Sequence, residues 1–389
     1  MKILFIAPYL PSSLRIRPYR LIRHLSKNHK ITFVGIVQPA WTSCFIEDLQ
    51  ALCEEVYPID LNRYTSIFKS LLAIPSRSPM SVSYFSSSKM KSLVANLVRE
   101  SNFDLIHTEF IRAAPYTINI DGKPKLFDAV DSLTLAYERG WRNPYSGLLN
   151  RIVAYEEWVK MRNFEPKMVG SFDRVIVSSP IDQQYLSSRI GPTVDVIQNG
   201  VDQEYYFEEK NNRDKNLLVF IGQMNYYVNV DSVLYFCNHI FPAIQKQKPG
   251  VKLAIVGADP KKSIHALTKN TAIEVTGYVT DIRPYLSRAS VFVCPMVSGS
   301  GIQNKLLHSM AMGTPVVTTS LAIQALQVKD KEHVIVADDP QKFADAVCML
   351  LADNNLQKQI SSNALEYVQM HHNWNSIGQR LEEIYFSMV

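Results

Sequence analysis

Short apolar runs alternate with helical patterns from one end of the chain to the other. Twelve runs have this character: residues 2–7, 31–37, 104–109, 125–130, 174–179, 194–199, 217–222, 252–257, 273–277, 290–296, 314–319 and 333–338. Most are apolar throughout instead of alternating with polar residues, which is typical of strands covered on both faces, as in parallel sheets. Their alternation with helices predicts an α/β protein built from βαβ units.

The chain divides within residues 201–218, where EEKNNRDK is the most charged and least apolar stretch between two strand-like runs. Such a stretch predicts a linker. We therefore predict two doubly wound, parallel-sheet, Rossmann-like domains, residues 1–200 and residues 201–374. Folds of this kind bind ligands at the carboxyl edge of the sheet, so we expect the two edges to face each other across a cleft.

The composition restricts the class of protein. Apolar residues make up 47% and charged residues 20% of the 389, which suits two folded cores. A net charge of +5 is too small to imply a nucleic-acid partner. No stretch approaches the ~20 apolar residues of a membrane span, and MKILFIAPYL is interpreted as a first strand, not a signal peptide. Five cysteines without CxxC spacing predict neither disulfides nor a zinc site, which fits a reducing cytoplasm.

A glycine-rich loop, VSGSG (297–301), joins an apolar run to a helix predicted at 302–312. Gly299 and Gly301 would let an anion approach the amides at the helix N-terminus, and Lys305 would add a positive charge one turn later. Together these features predict a phosphate cradle. The alternative is a tight strand-to-helix turn in which Lys305 is a solvated surface residue.

The segment GSGIQNKLLHSMAMGTPVVTT resembles the signature of retaining, family-four glycosyltransferases of the GT-B fold, in particular a subgroup associated with bacterial exopolysaccharide and exosortase loci. The similarity extends over nearly the whole chain, through DLIHTEFIRAAPY, FDAVDSLTLAYER, FDRVIVSSPIDQQYL, VIQNGVD, FIGQMNYYVNVDSVLYF, LAIVGADP and VTGYVTDIRPYLSRA. The resemblance implies a nucleotide-diphosphate sugar, favoured as a UDP-sugar, held mainly by the C-terminal domain. The acceptor, a glycan, glycolipid or small molecule, would be held mainly by the N-terminal domain. The chain has no Asp-x-Asp motif, so we expect no essential metal and no other cofactor.

The resemblance also assigns donor contacts to individual residues. These are Gly222, Gln223, Tyr278, Val279, Gly299, Ser300, Gly301, Ile302, Gln303, Lys305 and His308. Two positions where relatives commonly carry glutamates are Ser300 and His308 here, and Gln223 stands where relatives often have Arg or Lys. His308 either hydrogen-bonds a ribose hydroxyl through a ring nitrogen or has lost that role. Tyr278 either meets the nucleobase or is an ordinary loop aromatic.

In the N-terminal domain the resemblance places His107 and Glu109 near the reacting sugar, as residue types that can steer a hydroxyl or accept a proton. His107 could equally be a buried strand-end histidine. Asp128 and Asp131 face an acceptor pocket, or Asp131–Ser132 caps the following helix. We expect Arg17 to face the cleft and to assist the donor phosphates.

The helix predicted in RPYRLIRHLSKN has a basic face that could contact anionic lipid, which would place a cytoplasmic protein at the inner face of a membrane. A solvated surface helix is the alternative. Near the C-terminus, residues 375–389 resemble the family's terminal helix, which packs back on the N-terminal domain.

These features predict a metal-independent, retaining glycosyltransferase of bacterial glycan or glycoconjugate biosynthesis, with Lys305, His107, Glu109 and Asp131 as the candidate catalytic residues. A nucleotide-sugar 2-epimerase remains an alternative, because such enzymes share the two-domain fold. A catalytically weak accessory protein is a second alternative, since Ser300, His308 and Gln223 depart from the family pattern.

Overall fold

The strands occupy the predicted apolar runs. A computed structural model describes residues 1–11, 16–37, 43–208, 213–299 and 301–389 of the chain. Within these ranges the strands are β1 (Lys2–Ala7), β2 (Lys30–Val37), β3 (Glu55–Asp60), β4 (Leu105–Glu109), β5 (Lys125–Val130), β6 (Arg174–Val177), β7 (Thr193–Val196), β8 (Asp214–Ile221), β9 (Lys252–Val256), β10 (Ile273–Gly277), β11 (Ala289–Cys294), β12 (Val316–Thr318) and β13 (Ile335–Val336). Each of the twelve predicted runs contains or overlaps one strand, and β3 was not predicted.

The strands form two parallel sheets, one of seven strands and one of six. The first has the order β3-β2-β1-β4-β5-β6-β7 and the second the order β10-β9-β8-β11-β12-β13. In both sheets the chain starts near the middle, builds outward to one edge, and then returns to build the other half. This is the doubly wound topology, so the predicted pair of parallel-sheet, Rossmann-like domains is confirmed.

Helices connect the strands and cover both faces of each sheet. They are α1 (Ile16–Leu25), α2 (Ser43–Gln50), α3 (Arg63–Ala73), α4 (Met80–Tyr84), α5 (Ser88–Glu100), α6 (Leu133–Arg142), α7 (Leu148–Val169), α8 (Pro180–Ser187), α9 (Tyr227–Tyr235), α10 (Phe241–Gln247), α11 (Lys262–His265), α12 (Arg283–Arg288), α13 (Asn304–Ala311), α14 (Ser320–Ile323), α15 (Pro340–Ala352), α16 (Asn354–His371) and α17 (Trp374–Met388). A π-helical turn lies at Phe236–Ile240, and 3-10 turns lie at Ala114–Tyr116 and Ala266–Lys269.

The chain groups into two compact domains. The N-terminal domain comprises residues 1–138, 152–199 and 374–389, and the C-terminal domain comprises 139–151 and 200–373. The sequence analysis divided the chain after residue 200 and did not separate segment 139–151 from the N-terminal domain. Helix α17 belongs to the N-terminal domain, where Leu381 and Tyr385 are buried in the core beside β1 and α1.

Strand β3 shows why one strand escaped prediction. It lies at the edge of its sheet and pairs only with β2. Its residues EVYPID are mostly partly or fully exposed, so it lacks the continuous apolar character of the central strands. Pro58 has no N–H for the ladder, which restricts it to such an edge.

Candidate functional site

Several residues predicted to contact the donor lie where the strand order of the C-terminal sheet reverses. Strands β8 and β11 are neighbours, but the chain continues from β8 to β9 on one side and from β11 to β12 on the other. The loops that leave the two strands therefore separate and leave a crevice between them, the usual ligand position in a doubly wound sheet. Helices α9 and α13 begin beside this crevice, so the unbonded N–H groups of their first turns lie at the same edge.

The loop before α13 has the backbone that the glycines allow. Gly299 has φ +108° and Gly301 has φ +69°, both in the left-handed region that disfavours other residues. A Cβ at Gly299 would lie 3.1 Å from Cγ1 of Val228 on α9. The two glycines therefore bring the loop close to α9, while the predicted contact of Ser300 falls outside the described residues.

A guanidinium holds the same loop in place. Arg139, at the end of α6, donates from Nη1 to the Gly299 carbonyl at 3.0 Å and from Nη2 to Gln324 Oε1 at 2.8 Å. Its positive charge thus lies next to the candidate cradle. Nothing in the local sequence pattern indicated this residue, because it is 160 positions from its partner.

Asn229 connects the first turn of α9 to the candidate cradle. Its Oδ1 accepts a hydrogen bond from Lys305 Nζ at 2.6 Å, and its Nδ2 donates to the Gln223 carbonyl at 3.0 Å. A Cβ on Gly222 would lie 2.6 Å from Asn229 Nδ2, so a glycine is needed there for the asparagine to fit. Gly222, Gln223 and Lys305, three predicted donor residues, are therefore brought together by one side chain that the sequence analysis missed.

The Lys305 side chain is half-buried, with Nζ 4.7 Å from the centre of the Phe220 ring. Burial lowers the pKa of its ammonium below the ordinary value. An ammonium has three N–H donors, so the bond to Asn229 leaves donor capacity for an anion. The alternative of a fully solvated surface lysine does not fit this position.

The next predicted donor residue, His308, lies one turn further along α13. Its ring stacks on Tyr206, with centroids 4.2 Å apart and planes 8° from parallel. Burial lowers the pKa of the imidazole to about 4, so the ring is neutral near pH 7. A neutral ring can contact a hydroxyl as a donor or an acceptor, but it brings no charge to the donor.

The remaining residues predicted to contact the donor differ in their exposure to solvent. The Ile302 side chain packs inward as a buried member of the apolar core. Gln303 immediately precedes α13. Tyr278 is 63% exposed and, with Val279, follows edge strand β10. Three strand spacings of about 4.8 Å separate β10 from β11, which puts the two loops about 14 Å apart along one edge.

The N-terminal domain has its own change of direction, between β1 and β4. There the Tyr9 hydroxyl donates to Glu109 Oε1 at 2.7 Å. The next residue, Phe110, has φ +70°, and Val130 after β5 has φ +61°. A β-branched residue in this region is strained, and such strain is concentrated at functional sites. Glu109 therefore lies at the edge where the acceptor is expected.

The structure corrects the expectation for Arg17, because this side chain is only 6% exposed and its donors are used within its own domain. It forms an ion pair with Asp128 at 3.1 Å, and its Nη1 donates to the Ile197 carbonyl at 2.7 Å and to Asn199 Oδ1 at 2.9 Å. Asp128 is equally buried, and burial raises its pKa while the guanidinium opposes that shift. The pair joins β5 to the segment after β7, and these hydrogen bonds all lie within the N-terminal domain.

His107 lies in the core, not at the sheet edge. It is 0% exposed, stacks on Phe5 with centroids 4.1 Å apart, and its Nδ1 lies 2.5 Å from the Tyr385 hydroxyl. Burial and the nearby Arg17 lower the pKa of its imidazole to about 3. This placement favours the buried strand-end histidine over a substrate contact.

Asp131 remains a candidate for contact with the acceptor. It is half-buried and accepts a hydrogen bond from Ser178 Oγ at 2.7 Å. Burial, followed by the nearby Asp182 carboxylate, raises its pKa to about 7. Of the predicted cap Asp131–Ser132, Ser132 takes part, because its Oγ accepts from the Leu135 N–H at 3.4 Å. Glu165 of α7 adds to this cap, because its oxygens accept from the N–H groups of Leu133 and Thr134 at 2.8 and 3.3 Å.

The described part of the chain bears on the predictions about a metal and a membrane. No group of three or more His, Cys, Asp or Glu side chains is arranged there to hold a metal ion. In the same residues no helix combines the length and apolar character that crossing a membrane requires.

Part of the chain resembles known proteins. Residues 215–353 match the family model described as Glycosyl transferases group 1. An uncharacterized 44.6 kDa protein in the cps region of Klebsiella pneumoniae is 22% identical over 330 residues, 82% of each chain. The lipopolysaccharide core biosynthesis glycosyltransferase LpsE of Rhizobium meliloti is 30% identical over 125 residues, 30% of this chain and 36% of that protein.

The whole fold also has solved counterparts. HepE of Anabaena, solved in complex with UDP and glucose, matches over 100% of both chains with a TM-score of 0.70 and 16% identity. The predicted GT-B fold is therefore confirmed.

Proposed function

We propose that this chain, which carries a Glycosyl transferases group 1 domain at residues 215–353, moves a hexosyl-type sugar from a nucleotide-diphosphate donor to an acceptor hydroxyl. A UDP-sugar is the favoured donor, in line with the UDP and glucose bound by HepE. The reaction is proposed to retain the anomeric configuration and to need no metal. A role in bacterial glycan synthesis follows from the names of two relatives, one from a cps region and one from lipopolysaccharide core biosynthesis.

The observation that supports this function is the convergence of positive groups at the crevice between β8 and β11. Two helix N-termini and the left-handed Gly299 and Gly301 lie there, and Asn229 holds the Lys305 ammonium by a hydrogen bond. Backbone N–H groups and one ammonium are a sufficient set of donors for a diphosphate. Burial lowers the pKa of Lys305, and a bound anion would favour the charged form of its ammonium.

The chemistry then follows from the leaving group. The bond between the anomeric carbon and the diphosphate oxygen breaks, and the additional negative charge that develops on the leaving diphosphate is stabilised by donors already in position. The acceptor oxygen attacks from the same face, and its proton passes to an oxygen of the leaving diphosphate. Bond making and bond breaking thus balance without a protein nucleophile or a metal ion.

The acceptor is proposed to bind the N-terminal domain at the edge that carries Glu109 and Asp131. Glu109 is oriented by Tyr9 and would accept a hydrogen bond from an acceptor hydroxyl. Asp131, with a pKa of about 7, is protonated in part near neutral pH and can therefore donate as well as accept. Both would position the acceptor, while the leaving diphosphate takes its proton.

A thermal-shift screen of the whole chain over UDP-, GDP- and dTDP-sugars tests the donor assignment, because a ligand that binds only the folded state raises its stability by mass action. We expect the UDP-sugars to stabilise most and EDTA to leave the shift unchanged. Release of UDP in the presence of an acceptor then tests turnover.

Other outcomes would redirect the assignment. Conversion of UDP-N-acetylglucosamine to its manno epimer without an acceptor would indicate a 2-epimerase. Stabilisation by UDP without hydrolysis or transfer under any condition would indicate an accessory protein. The absence of stabilisation by every nucleotide sugar would refute the donor site itself.

A further inference from the structure

Helix α3 of the N-terminal domain turns its apolar side to solvent. Its large apolar residues follow the i, i+3, i+4, i+7, i+8 spacing of a single helical stripe. They are Tyr64, Ile67, Phe68, Leu71 and Leu72, with exposed fractions of 83, 42, 61, 57 and 59%. The side that packs on the protein instead carries small residues, Ser66 and Ala73. This orientation is the reverse of an ordinary surface helix, and it leaves a continuous apolar face uncovered.

The segment that carries this face has charges of one sign. Residues 61–99 contain six lysines and arginines and no aspartate or glutamate. By helical geometry Arg63 and Lys69 flank the apolar stripe on its two sides, and both are exposed. Lys69 also donates from Nζ to the Ser86 carbonyl at 2.7 Å, which fixes its position at the rim. The partner of this face should therefore be apolar in its interior and anionic at its surface.

A cavity beside α3 has the same character. It has a volume of about 690 Å³ and is lined by Leu72 and Ala73 of α3, by the cations Lys69, Lys91 and Arg112, and by several serine hydroxyls. An apolar wall with three cations is complementary to an anionic head group that continues into a hydrocarbon chain.

A second copy of the chain fits this face less well. A symmetric dimer through α3 would bring two basic rims together with no acidic residue of 61–99 to compensate. Helix α3 is also too short to cross a membrane, since 11 residues span about 16 Å against a hydrocarbon core of about 30 Å. Helices with an apolar face and a basic rim lie instead in the plane of the bilayer surface.

We propose that α3 docks the N-terminal domain on the surface of a bilayer that contains anionic phospholipid, with Tyr64, Phe68 and Leu71 inserted among the acyl chains. The helix predicted from sequence for this role, α1, buries Leu21, Ile22 and Leu25 in the core. Docking at α3 brings the cavity to the lipid surface, so the acceptor of the proposed transferase is a lipid-borne one. That last step rests on the proposed function.

Vesicle flotation of the full chain tests the docking. The vesicles are phosphatidylcholine alone and phosphatidylcholine mixed with phosphatidylglycerol. We expect binding to the mixed vesicles, weakened by salt, and at least a tenfold loss in the double variant Phe68→Glu/Leu72→Glu. Each cation near an anionic surface contributes roughly fivefold to binding, so Arg63→Gln/Lys69→Gln should weaken binding about 25-fold on mixed vesicles only.

A matched control removes the same kind of side chain elsewhere. Met370 and Phe386 are each 64% exposed, and Met370→Glu/Phe386→Glu adds the same charge at apolar surface positions outside α3. This control should float like the unchanged protein. All variants replace exposed side chains, so their thermal unfolding midpoints and their stabilisation by UDP should stay the same, which separates docking from the donor site.

Three outcomes would overturn the proposal. The first is no binding to either kind of vesicle. The second is loss of binding on Arg23→Glu/Lys27→Glu but not on the α3 variants, which would assign docking to the region of α1. The third is a dimer in solution that Phe68→Glu/Leu72→Glu separates while vesicles leave the protein unbound.

Discussion

Replacement of Lys305 by methionine tests the proposed grip on the leaving group. The change keeps an unbranched stem of similar length and removes only the ammonium. In the structure that ammonium is bonded to Asn229 at 2.6 Å and lies at the crevice between β8 and β11. If it stabilises the departing diphosphate, its loss should act on turnover more than on folding.

The magnitude follows from the position of the charge. Loss of one preorganised contact to a developing anion costs about 2.7–4 kcal/mol of transition-state stabilisation, which corresponds to roughly 10²–10³ in kcat. For folding, loss of the charge-assisted bond to Asn229 costs about 1.5–3 kcal/mol. Relief of the desolvation that lowers the Lys305 pKa acts in the opposite direction, so the net change in unfolding free energy should be smaller than that.

The assay measures UDP release at saturating donor and acceptor, together with the thermal shift produced by UDP. Lys342→Met provides the matched control, because Lys342 is an exposed lysine on α15 of the same domain. We expect the control to retain full turnover. Lys305→Met with unchanged kcat and an unchanged UDP shift would remove Lys305 from the mechanism and refute the phosphate cradle.

Three further changes probe the two sites. Gly299→Ala should lower the unfolding free energy by roughly 1–2 kcal/mol, because its φ of +108° disfavours a Cβ and Val228 is 3.1 Å away. Arg17→Met should cost about 3–5 kcal/mol in denaturant unfolding, because it leaves the buried Asp128 without its partner. Asp131→Asn should remove a pH dependence. Its pKa is raised from 3.8 to about 7, so the native state binds more protons than the unfolded one, and stability falls as pH rises across that window.

Each of these has a control or a contrary result. Gly147→Ala meets nothing within 4 Å and should be neutral, so equal effects of the two glycine changes would refute the strain argument. A stable Arg17→Met protein with weakened UDP binding would restore Arg17 to the donor. Identical pH profiles of stability for the Asp131→Asn and unchanged proteins would contradict the raised pKa.

The strands were predictable because central strands of a doubly wound sheet are buried on both faces and therefore consist of continuous apolar runs. Phe5, Val219 and Phe292 are all fully buried members of such runs. Pro58 in β3 shows the limit of that rule, since an edge strand is half-exposed and carries no such run. The predicted start of α13 differed by two residues because Ile302 packs into the core before the helix begins.

The candidate site was predictable only where chemistry and local spacing coincide. The order glycine, glycine, lysine before a helix was sufficient to indicate Gly299, Gly301 and Lys305. Asn229 and Arg139 were missed because their partners are distant in sequence. Asn229 bonds to Lys305, 76 positions away, and Arg139 bonds to Gly299, 160 positions away. Local sequence patterns do not indicate contacts over such distances.

Arg17 was misjudged for the same reason of sequence distance. A basic residue beside a predicted cleft suggests an anionic ligand. Its actual partners, Asp128 and the carbonyl of Ile197, lie 111 and 180 positions away along the chain. Asp128 in FDAVDS could have indicated the ion pair, because a carboxylate that becomes buried needs a partner of opposite charge.

Helix α17 has a consequence for the order in which the protein is made. The core of the N-terminal domain contains Trp374, Leu381 and Tyr385, all of which are synthesised after residues 200–373. Nascent chains generally fold from the N-terminus onward. Here all residues of the C-terminal domain are synthesised before α17, so the N-terminal domain, although most of it is made first, is the last to receive all the residues of its core.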